Sequence, residues 1–395
     1  MDQPSHSDFL RRLQTDLDAL KSRSQLRRLE IVPGLNFCSN DYLGLSTDPR
    51  LRAAVAASLT AGSRVASTGS RLLSGHATVW GELESEFAQF AGAEAALYFN
   101  SGYAANTGLF GSVLKPEDIV FSDSANHASI IDGIRLSGAR KVIFPHLDLD
   151  ALEGELRRAT PGSGQAQKFI VVESVFSMNG DRAQIASLVA LGERYGAELI
   201  VDEAHATGVL GPQGRGLVAE AGAMDRVLAV VHTCGKALAG VGAFVLCSNV
   251  LKEYLINHAR PFIFSTALPP YVAAQARAAI HIAAAADAER THLRALATHL
   301  RARLHQSGFD TAGSESQIVP VLLGENEHAL AIAARLCADG FAVRAIRPPT
   351  VPPGTARLRL SLTVRHTSEM LDRLVDALVR ACADEQPTLS RSQVG

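Results

Sequence analysis

The sequence predicts an α/β fold with a mainly parallel central sheet, and two features of its pattern carry that prediction. Segments with helical spacing occur through the middle of the chain, as over residues 81–91, where Leu83, Phe87 and Phe90 share one face. Between such segments lie short apolar runs at 97–99, 142–144, 169–172, 199–201 and 227–231. Strands that are apolar throughout and alternate with helices are typical of a parallel sheet covered on both faces.

The two ends of the chain have a different texture. Residues 1–30 have the pattern of an amphipathic helical arm, with Phe9, Leu10 and Leu13 on one side. Towards the other end, a helix is predicted over 287–305 with Gly308 as its stop, and strands are predicted over 318–323 and 357–362. We therefore predict an N-terminal arm (1–45), a large α/β domain (46–269) and a smaller C-terminal α+β domain (270–395).

Composition and charge narrow the classes of function. Of the 395 residues, 47% are hydrophobic and 20% charged, which is typical of a globular chain. The net charge of −2 gives no reason to expect nucleic acid or an anionic membrane as a partner. There is no apolar run long enough for a membrane span, and the first residues lack the apolar core of a secretory signal. The five scattered cysteines without a C-x-x-C pair favour free thiols in the cytoplasm and no metal site.

The sharpest group of polar residues is Asp202-Glu203-Ala204-His205, which follows the apolar run 199–201. A carboxylate at the mouth of a parallel sheet lies where α/β proteins bind ligands, and His205 is close enough along the chain to reach the same ligand. The alternative is a strand-end aspartate that caps the next helix, which is about equally common.

A second group, His232-Thr233-Cys234-Gly235-Lys236, follows the next apolar run. Desolvation at a sheet edge lowers the pKa of a lysine and frees a neutral amine for Schiff-base chemistry, although most lysines are simply solvated. Together Asp202 and Lys236 indicate pyridoxal phosphate, which needs a lysine for its aldehyde and an acid against its ring nitrogen.

Three further segments match the needs of such a site. The turn over 101–106 follows a predicted strand and opens a helix, whose amides would hold a phosphate. His127 lies at another strand-to-helix junction and offers a flat ring or a proton donor. Arg359, on the polar face of its strand, could grip a carboxylate with two hydrogen bonds. Each has a structural alternative: an ordinary turn, a structural histidine and a solvated arginine.

Other classes of function fit less well. Asp202–His205 spells the second motif of DEAH helicases, but the phosphate loop of such enzymes is missing, because Gly235-Lys236 lies downstream and is followed by Ala237. Gly240–Val245 lacks the third glycine of a dinucleotide-binding loop. A non-catalytic binding protein remains open, but it does not explain why an acid, a histidine and a lysine all fall at sheet edges.

At these residues the chain resembles the α-oxoamine synthases, pyridoxal-phosphate enzymes with the aspartate-aminotransferase-like fold (fold type I). The resemblance runs from about residue 36 to about residue 378. Its motifs are Asn36–Gly44, Gly69–Gly75, Phe176–Asp181, Asp202–His205, Gly208–Gly216, Gly235–Ala237 and Phe264–Pro270. The segment 345–360 resembles the branch that acts in biotin biosynthesis.

The resemblance implies roles for residues at matching positions. Lys236 would hold the cofactor covalently and move the proton of the substrate α-carbon, and Asp202 would pair with the ring nitrogen. His205 and Ser177 would hydrogen-bond the phenolic oxygen of the ring. With His127, the residues Lys236, Asp202 and His205 would form the catalytic set.

The remaining cofactor contacts follow in the same way. His127 would stack on one face of the ring and Ala204 would cover the other. The amides of Gly102 and Tyr103 and the hydroxyl of Thr233 would bind the phosphate. The family is built as a homodimer with shared active sites, in which Thr266 would reach the phosphate of the neighbouring subunit.

For the substrates, the resemblance implies that Asn40 and Arg359 hold the carboxylate of an amino acid and that Glu173 and Ser74 line the pocket. Arg27 in the arm would contact the distal carboxylate of the acyl chain. The implied reaction is a decarboxylative condensation of L-alanine with pimeloyl-CoA or a pimeloyl carrier protein. The alternative within the family is a condensation of glycine with acetyl-CoA or another acyl-CoA.

Overall fold

The computed structural model describes residues 6–31, 33–159 and 166–383. Within these residues the strands, in chain order, are β1 (Leu35–Asn36), β2 (Ala95–Phe99), β3 (Ile119–Asp123), β4 (Arg140–Phe144), β5 (Lys168–Glu173), β6 (Ala197–Asp202), β7 (Ala229–Thr233), β8 (Ala243–Cys247), β9 (Ile318–Gly324), β10 (Phe341–Ala342), β11 (Ala345–Ile346) and β12 (Ala356–Ser361).

The α-helices of the same residues are α1 (His6–Ser22), α2 (Pro49–Thr60), α3 (Thr78–Ala91), α4 (Gly102–Val113), α5 (Ala128–Ser137), α6 (Leu149–Arg158), α7 (Ile185–Tyr195), α8 (Leu217–Glu220), α9 (Asn249–His258), α10 (Arg260–Ile263), α11 (Tyr271–Ala284), α12 (Asp287–Gln306), α13 (Asn326–Ala338) and α14 (Ser368–Ala383). None of them is both long and apolar enough to cross a bilayer.

The central sheet has seven strands in the order β2-β8-β7-β6-β5-β3-β4. Only β8 runs antiparallel to its neighbours, β2 and β7, so the predicted mainly parallel sheet is confirmed. The five predicted apolar runs fall in β2, β4, β5, β6 and β7, the last of which begins two residues later than its run. Strands β3 and β8 were not among the predicted runs.

Both faces of this sheet are covered, as its continuously apolar strands require. Successive residues of β5 belong to opposite sides: Ile170 and Val172 pack in one buried cluster, and Phe169 and Val171 in the other. Because side chains alternate along a strand, each face of the sheet buries every second residue.

The C-terminal region is built around a three-stranded antiparallel sheet in the order β11-β12-β9. The predicted helix over 287–305 is α12, and Gly308 adopts φ +80° just beyond its end. Strand β1 pairs in parallel with β10, which ties the last part of the predicted arm to the C-terminal part of the chain. Since α11 packs against α2 and α3, the domain boundary near residue 270 stays a prediction.

This topology gathers polar residues at one edge. The parallel strands β3, β5, β6 and β7 end at Asp123, Glu173, Asp202 and Thr233, and Glu173 is in register with Asp202. The carboxyl edge of a parallel sheet is where α/β proteins bind their ligands. The candidate site therefore lies at the carboxyl ends of these strands.

Candidate active site

Asp202 is buried at the end of β6, and its two carboxylate oxygens have different partners. Oδ1 accepts a hydrogen bond from the Ala204 amide at 2.9 Å, and Oδ2 accepts one from Asn106 Nδ2 at 2.7 Å. The first contact stabilises the turn after the strand, but no helix of the described residues begins at this turn, so the alternative of a helix-capping aspartate is wrong. The second ties the carboxylate to α4, which lies across the sheet edge.

Lys236 lies on the loop between β7 and β8 and is partly buried. Burial lowers the pKa of its amine, the carboxylates of Asp202 and Glu173 raise it, and Arg359 lowers it further. No hydrogen bond or ion pair within the described ranges engages the amine. Lys236 is therefore a free amine whose pKa lies below the usual value and which interacts electrostatically with the carboxyl groups of Asp202 and Glu173.

Glu173 is the neighbour of Asp202 in the sheet register and is 2% exposed. Burial and the nearby Asp202 raise its pKa well above the usual value, although Lys236 and two backbone amides oppose this. Its Oε1 has no hydrogen-bond partner among the described residues. Two sheet-edge carboxyls side by side cannot both carry charge easily, so Glu173 is held neutral.

His127 is the N-cap of α5 and is exposed to solvent. Its Nδ1 accepts a hydrogen bond from the Ser129 amide at 3.2 Å and lies 2.8 Å from Ser129 Oγ. Burial lowers the pKa of the imidazole, Asp202 raises it and Lys236 lowers it. The imidazole is thus neutral near neutral pH and within reach of the charges of Lys236 and Asp202. Its ring centroid lies 6.4 Å from that of Tyr103 in a T-shaped arrangement.

His205 is buried three residues after Asp202. Its Nδ1 lies 2.6 Å from the hydroxyl of Tyr42, and its backbone oxygen accepts a hydrogen bond from Gln317. Burial lowers its pKa well below the usual value, and the charges of Lys236 and Arg359 lower it further. A second neutral imidazole therefore lies in the same cluster.

Arg359 is buried although its strand pattern also allowed a solvated arginine, because both faces of β12 are covered. Its guanidinium donates to the backbone oxygen of Ser177, to Asn40 Oδ1 at 3.0 Å and to Ser361 Oγ at 2.6 Å. All three acceptors are neutral oxygens. The positive charge of Arg359 therefore has no carboxylate partner in the described part of the chain.

The first turn of α4 lies against the end of β7. A Cβ placed on Gly102 would come within 2.6 Å of Thr233 Cγ2, so only glycine allows this approach. Ser101 Oγ accepts from the Ala104 amide, while the amides of Gly102 and Tyr103 have no acceptor among the described residues. Free amides and a hydroxyl at a helix N-terminus suit a phosphate group.

These residues fit pyridoxal phosphate. The free amine of Lys236, the carboxylate of Asp202, the exposed ring of His127 and the free amides of α4 are the groups that this cofactor needs. The buried Oε1 of Glu173 has no hydrogen-bond partner among the described residues, so the sheet edge offers a polar atom that a bound group could contact. No group of side chains suited to a metal ion was found in the residues that the structure describes.

A cavity of about 1000 Å³ opens beside His127 and Ser177. One wall is the N-terminal part of α5 with the residues just before it, and the other is the segment 348–353, which is rich in proline. No aspartate or glutamate lines this cavity. It has the volume for a chain-like substrate that reaches the reactive cluster from outside.

Three predicted site residues lie apart from this cluster. Ser74 is exposed, and its backbone oxygen accepts from Arg64. Thr266 is exposed and pairs with Ser70 in an isolated bridge. Arg27 donates to Thr350 Oγ1 at 3.3 Å, next to the cavity rather than in the cluster. Their predicted roles stay predictions.

Sequence reasoning missed the side chains that hold the predicted ones. Asn106, Ser129 and Tyr42 contact Asp202, His127 and His205 respectively. Asn106 and Tyr42 lie within segments that the sequence analysis had singled out, but no local pattern indicates which distant residue they meet.

The chain matches known proteins over most of its length. The family model described as aminotransferase class I and II matches residues 32–378. The chain belongs to this aminotransferase family. Within it, an 8-amino-7-oxononanoate synthase of Anaeromyxobacter sp. (strain K) is 47% identical over 390 residues, which cover 95% of this chain and 96% of the relative.

Solved structures agree with this assignment. An 8-amino-7-oxononanoate synthase of Francisella tularensis is 29% identical with a TM-score of 0.76, over 89% of this chain and 98% of that one. A serine palmitoyltransferase solved with pyridoxal phosphate is 30% identical with a TM-score of 0.87, over 96% and 99% of the two chains. The predicted fold type I, the cofactor pyridoxal phosphate and the class of acyltransferase are thereby confirmed.

Proposed function

We propose that this family member condenses L-alanine with a pimeloyl thioester to give 8-amino-7-oxononanoate, CO2 and the free thiol carrier. The observation that carries the proposal is Arg359, a buried cation held by neutral oxygens of Asn40, Ser177 and Ser361 beside Lys236. A buried cation without an anion is costly, and the carboxylate of an amino acid would relieve that cost.

The residues of the cluster divide the work of holding the cofactor. Lys236 would bind its aldehyde carbon, Asp202 its ring nitrogen, and Ser177 and His205 its phenolic oxygen. His127 and Ala204 would cover the two ring faces. When bound, pyridoxal phosphate withdraws electrons from the α-carbon of an amino acid.

The phosphate would be held at the other end of the site. The amides of Gly102 and Tyr103 and the hydroxyl of Thr233 are the donors there. Thr233 Oγ1 lies 3.4 Å from the backbone oxygen of Ala204, a long contact that leaves the hydroxyl able to turn towards an anion.

Lys236 is suited to move the α-proton. Because burial lowers the pKa of its amine, a larger share of the amine is neutral near neutral pH and able to accept a proton. Arg359 and Asn40 would hold the alanine carboxylate while the α-proton leaves. In the balanced reaction a C–C bond forms, the thioester C–S bond breaks, and the carboxylate leaves as CO2 with a proton taking its place.

His127 stands between the cluster and the large cavity. It is neutral because burial lowers its pKa, and it lines the cavity from which the acyl donor would arrive. We assign it the donor of a hydrogen bond to the keto oxygen that is formed before CO2 is lost. Charge that develops on such an oxygen is stabilised most by donors that are already in place.

The cavity favours an acyl donor that carries negative charge. Arg357 lines it and no acid does, whereas the charge of His146, which also lines it, is balanced by Asp123 and Asp181. Beside it, Arg27 and Arg347 line a small pocket of about 60 Å³, which shares Pro348 and Thr350 with the cavity. Burial lowers the pKa of Arg347, and the positive charge of Arg27 lowers it further. Two arginines that repel each other would both gain from a distal carboxylate.

The homodimer is part of the same proposal. Thr266 is exposed, and large apolar side chains near it are exposed too, among them Phe264 (70%), Leu73 (82%) and Val65 (74%). Contiguous exposed apolar residues of this kind mark interaction surfaces. A second copy of the chain would cover them, and Thr266 of each subunit would then reach the phosphate bound in the neighbouring subunit.

The test is the product. The cofactor-loaded protein is incubated with L-alanine and pimeloyl-CoA, and the product is identified by mass spectrometry. Glycine in place of alanine, and acetyl-CoA in place of pimeloyl-CoA, complete the panel. The proposal expects 8-amino-7-oxononanoate from the first pair and little from the others. Turnover of glycine with acetyl-CoA alone would assign the chain to the sister reaction.

A further inference from the structure

Two buried polar side chains lie between His127 and Asp202 and have no assigned role. Asn106 on α4 and Ser129 on α5 are each 1% exposed. They form a continuous set of hydrogen bonds that joins the imidazole to the carboxylate. The direction of each bond in this set is determined by the chemistry of its atoms.

The amide of Asn106 donates both of its protons. One goes to Ser129 Oγ at 2.9 Å and the other to Asp202 Oδ2 at 2.7 Å. If the amide were flipped, its oxygen would face the carboxylate oxygen of Asp202 at the same short distance, and two acceptors would repel each other. The amide nitrogen therefore faces Asp202, since a carboxylate can only accept.

Ser129 contacts His127 Nδ1 through both its hydroxyl and its backbone amide, and the amide decides the direction, because an N–H group can only donate. The Oγ of Ser129 accepts a proton from Asn106, so its own proton is free to go to His127 Nδ1, 2.8 Å away. The same Nδ1 accepts the amide proton of Ser129 at 3.2 Å. Because Nδ1 is an acceptor in both contacts, the proton of the neutral ring lies on Nε2.

We propose that Asn106 and Ser129 are positioning residues that hold His127 in the Nε2–H tautomer and link its orientation to the carboxylate of Asp202. His127 then presents a hydrogen-bond donor, and never a base, to the cavity beside it. The role of that donor in the reaction rests on the proposed function, whereas the tautomer itself does not.

One observation argues against a purely structural role. The amide oxygen of Asn106 is buried without a partner among the described residues. A buried amide that leaves one atom unsatisfied costs stability relative to an apolar side chain of similar size. The asparagine is thus a poor choice for packing alone, but its two donors are what the link between Asp202 and Ser129 needs.

The first test is the tautomer in the full-length protein labelled with [¹⁵N]histidine. The ring signals of His127 are assigned by their loss in His127→Gln and are measured with and without pyridoxal phosphate. We expect a protonated-type shift at Nε2 and an unprotonated-type shift at Nδ1 in both states. A neutral ring with its proton on Nδ1 would overturn the proposal without any variant.

The second test uses variants. In Ser129→Ala, which removes the hydroxyl donor to Nδ1, the ratio of the Nε2–H to the Nδ1–H form should fall by roughly fivefold to tenfold, the worth of one neutral hydrogen bond. In Asn106→Ala, which acts through Ser129, the ratio should fall in the same direction by less. In Ser129→Ala, kcat should fall by about tenfold while the KM for alanine stays within about twofold. Ser129→Thr keeps the hydroxyl and should restore both quantities. Ser137→Ala removes a hydroxyl from the same helix α5, where it contacts Ile134, and should change neither.

The outcomes separate the two claims. If kcat falls in Ser129→Ala while the tautomer ratio is unchanged, the residues are structural only and the proposal is wrong. If Asn106→Ala does not fold, Ser129→Ala decides alone. A wild-type protein with the expected tautomer but without product from alanine and pimeloyl-CoA would refute the proposed function and leave the positioning role standing.

Discussion

Arg359 Nη1 donates a 3.0 Å hydrogen bond to Asn40 Oδ1, joining residues that lie 319 positions apart. The same Oδ1 accepts from the hydroxyl of Tyr42, which in turn lies 2.6 Å from His205 Nδ1. Residues 40–42, the strand β12 and the turn after β6 therefore meet at one point. Because these side chains share one hydrogen-bond network, a substitution in any of the three segments will alter the hydrogen bonds of the other two.

We expect Arg359→Gln to raise the KM for alanine by about a hundredfold, because removing a buried charge that pairs with a carboxylate costs roughly 2–5 kcal/mol. The KM for pimeloyl-CoA should change much less. Arg357→Gln is the comparison for the alanine KM alone, since Arg357 is buried on the same strand but lines the acyl cavity and donates to Asn179 and to the backbone of Thr355. It should leave the KM for alanine nearly unchanged. If Arg359→Gln raised only the KM for the acyl donor, Arg359 would bind the carboxylate of the acyl chain and not that of alanine, and the assignment would be wrong.

Asp202→Asn should leave the cofactor bound but slow turnover by about a hundredfold or more, because a neutral amide cannot keep the ring nitrogen protonated. Bound cofactor is measured by its absorbance after release in denaturant, and kcat by thiol formation. A variant that binds the cofactor and turns over at the wild-type rate would disprove the assignment of Asp202 to the ring nitrogen.

His146 makes the stability of the folded state depend on pH in the alkaline range. Its Nδ1 lies 2.8 Å from Asp123 Oδ1 and its Nε2 lies 2.8 Å from Asp181 Oδ2. Burial opposes the charged ring, but the two carboxylates outweigh burial and raise the pKa to about 9. A raised pKa means that the charged ring stabilises the folded state below about pH 6.5, and that this contribution is lost as the pH rises through about 9.

The free energy of unfolding should show this loss. Because the ring is partly open to solvent, we expect the wild type to exceed His146→Gln by about 1–2 kcal/mol at pH 6 and by much less at pH 10. Urea unfolding of both proteins at several pH values measures the difference. A difference that stays constant from pH 6 to pH 10 would show that the charge of His146 contributes nothing.

Substitution of Arg347 tests whether this residue binds the distal carboxylate of the acyl donor. Arg347→Gln should raise the KM for pimeloyl-CoA by about tenfold, the loss of one charge-assisted hydrogen bond to the distal carboxylate. Heptanoyl-CoA, which lacks that carboxylate, should be unaffected by the substitution. Arg344→Gln is the control, because Arg344 is close by in sequence and already pairs with Glu30. An equal rise for both thioesters would point to the carrier phosphates instead.

The sequence predicted much of the site because its main residues follow apolar runs. Asp202 ends β6 and Lys236 lies just beyond β7, and a parallel sheet must bring such positions to one edge. The strand pattern was less informative for Arg359, where alternation allowed a solvated face. Only the packing of the C-terminal sheet shows that both faces of β12 are buried.

What could not be predicted depends on contacts between distant segments. Asn106 is 96 positions from Asp202, and Tyr42 is 163 positions from His205. No local periodicity indicates that two such residues are in contact, since their contact depends on how α4 and residues 40–42 pack on the sheet. Strand β3 was missed for a local reason, because it ends in Ser122 and Asp123 and looks less apolar than its neighbours.

The central claim is that Lys236 carries the cofactor that Asp202 faces. Its most direct measurement is reduction of the cofactor-loaded protein with borohydride, which makes the bond to the lysine permanent, followed by peptide mass mapping. The account predicts that the added pyridoxyl-phosphate mass lies on the peptide that contains Lys236, and that Lys236→Ala acquires none. The same mass on a peptide with Lys115, Lys168 or Lys252 instead would contradict it.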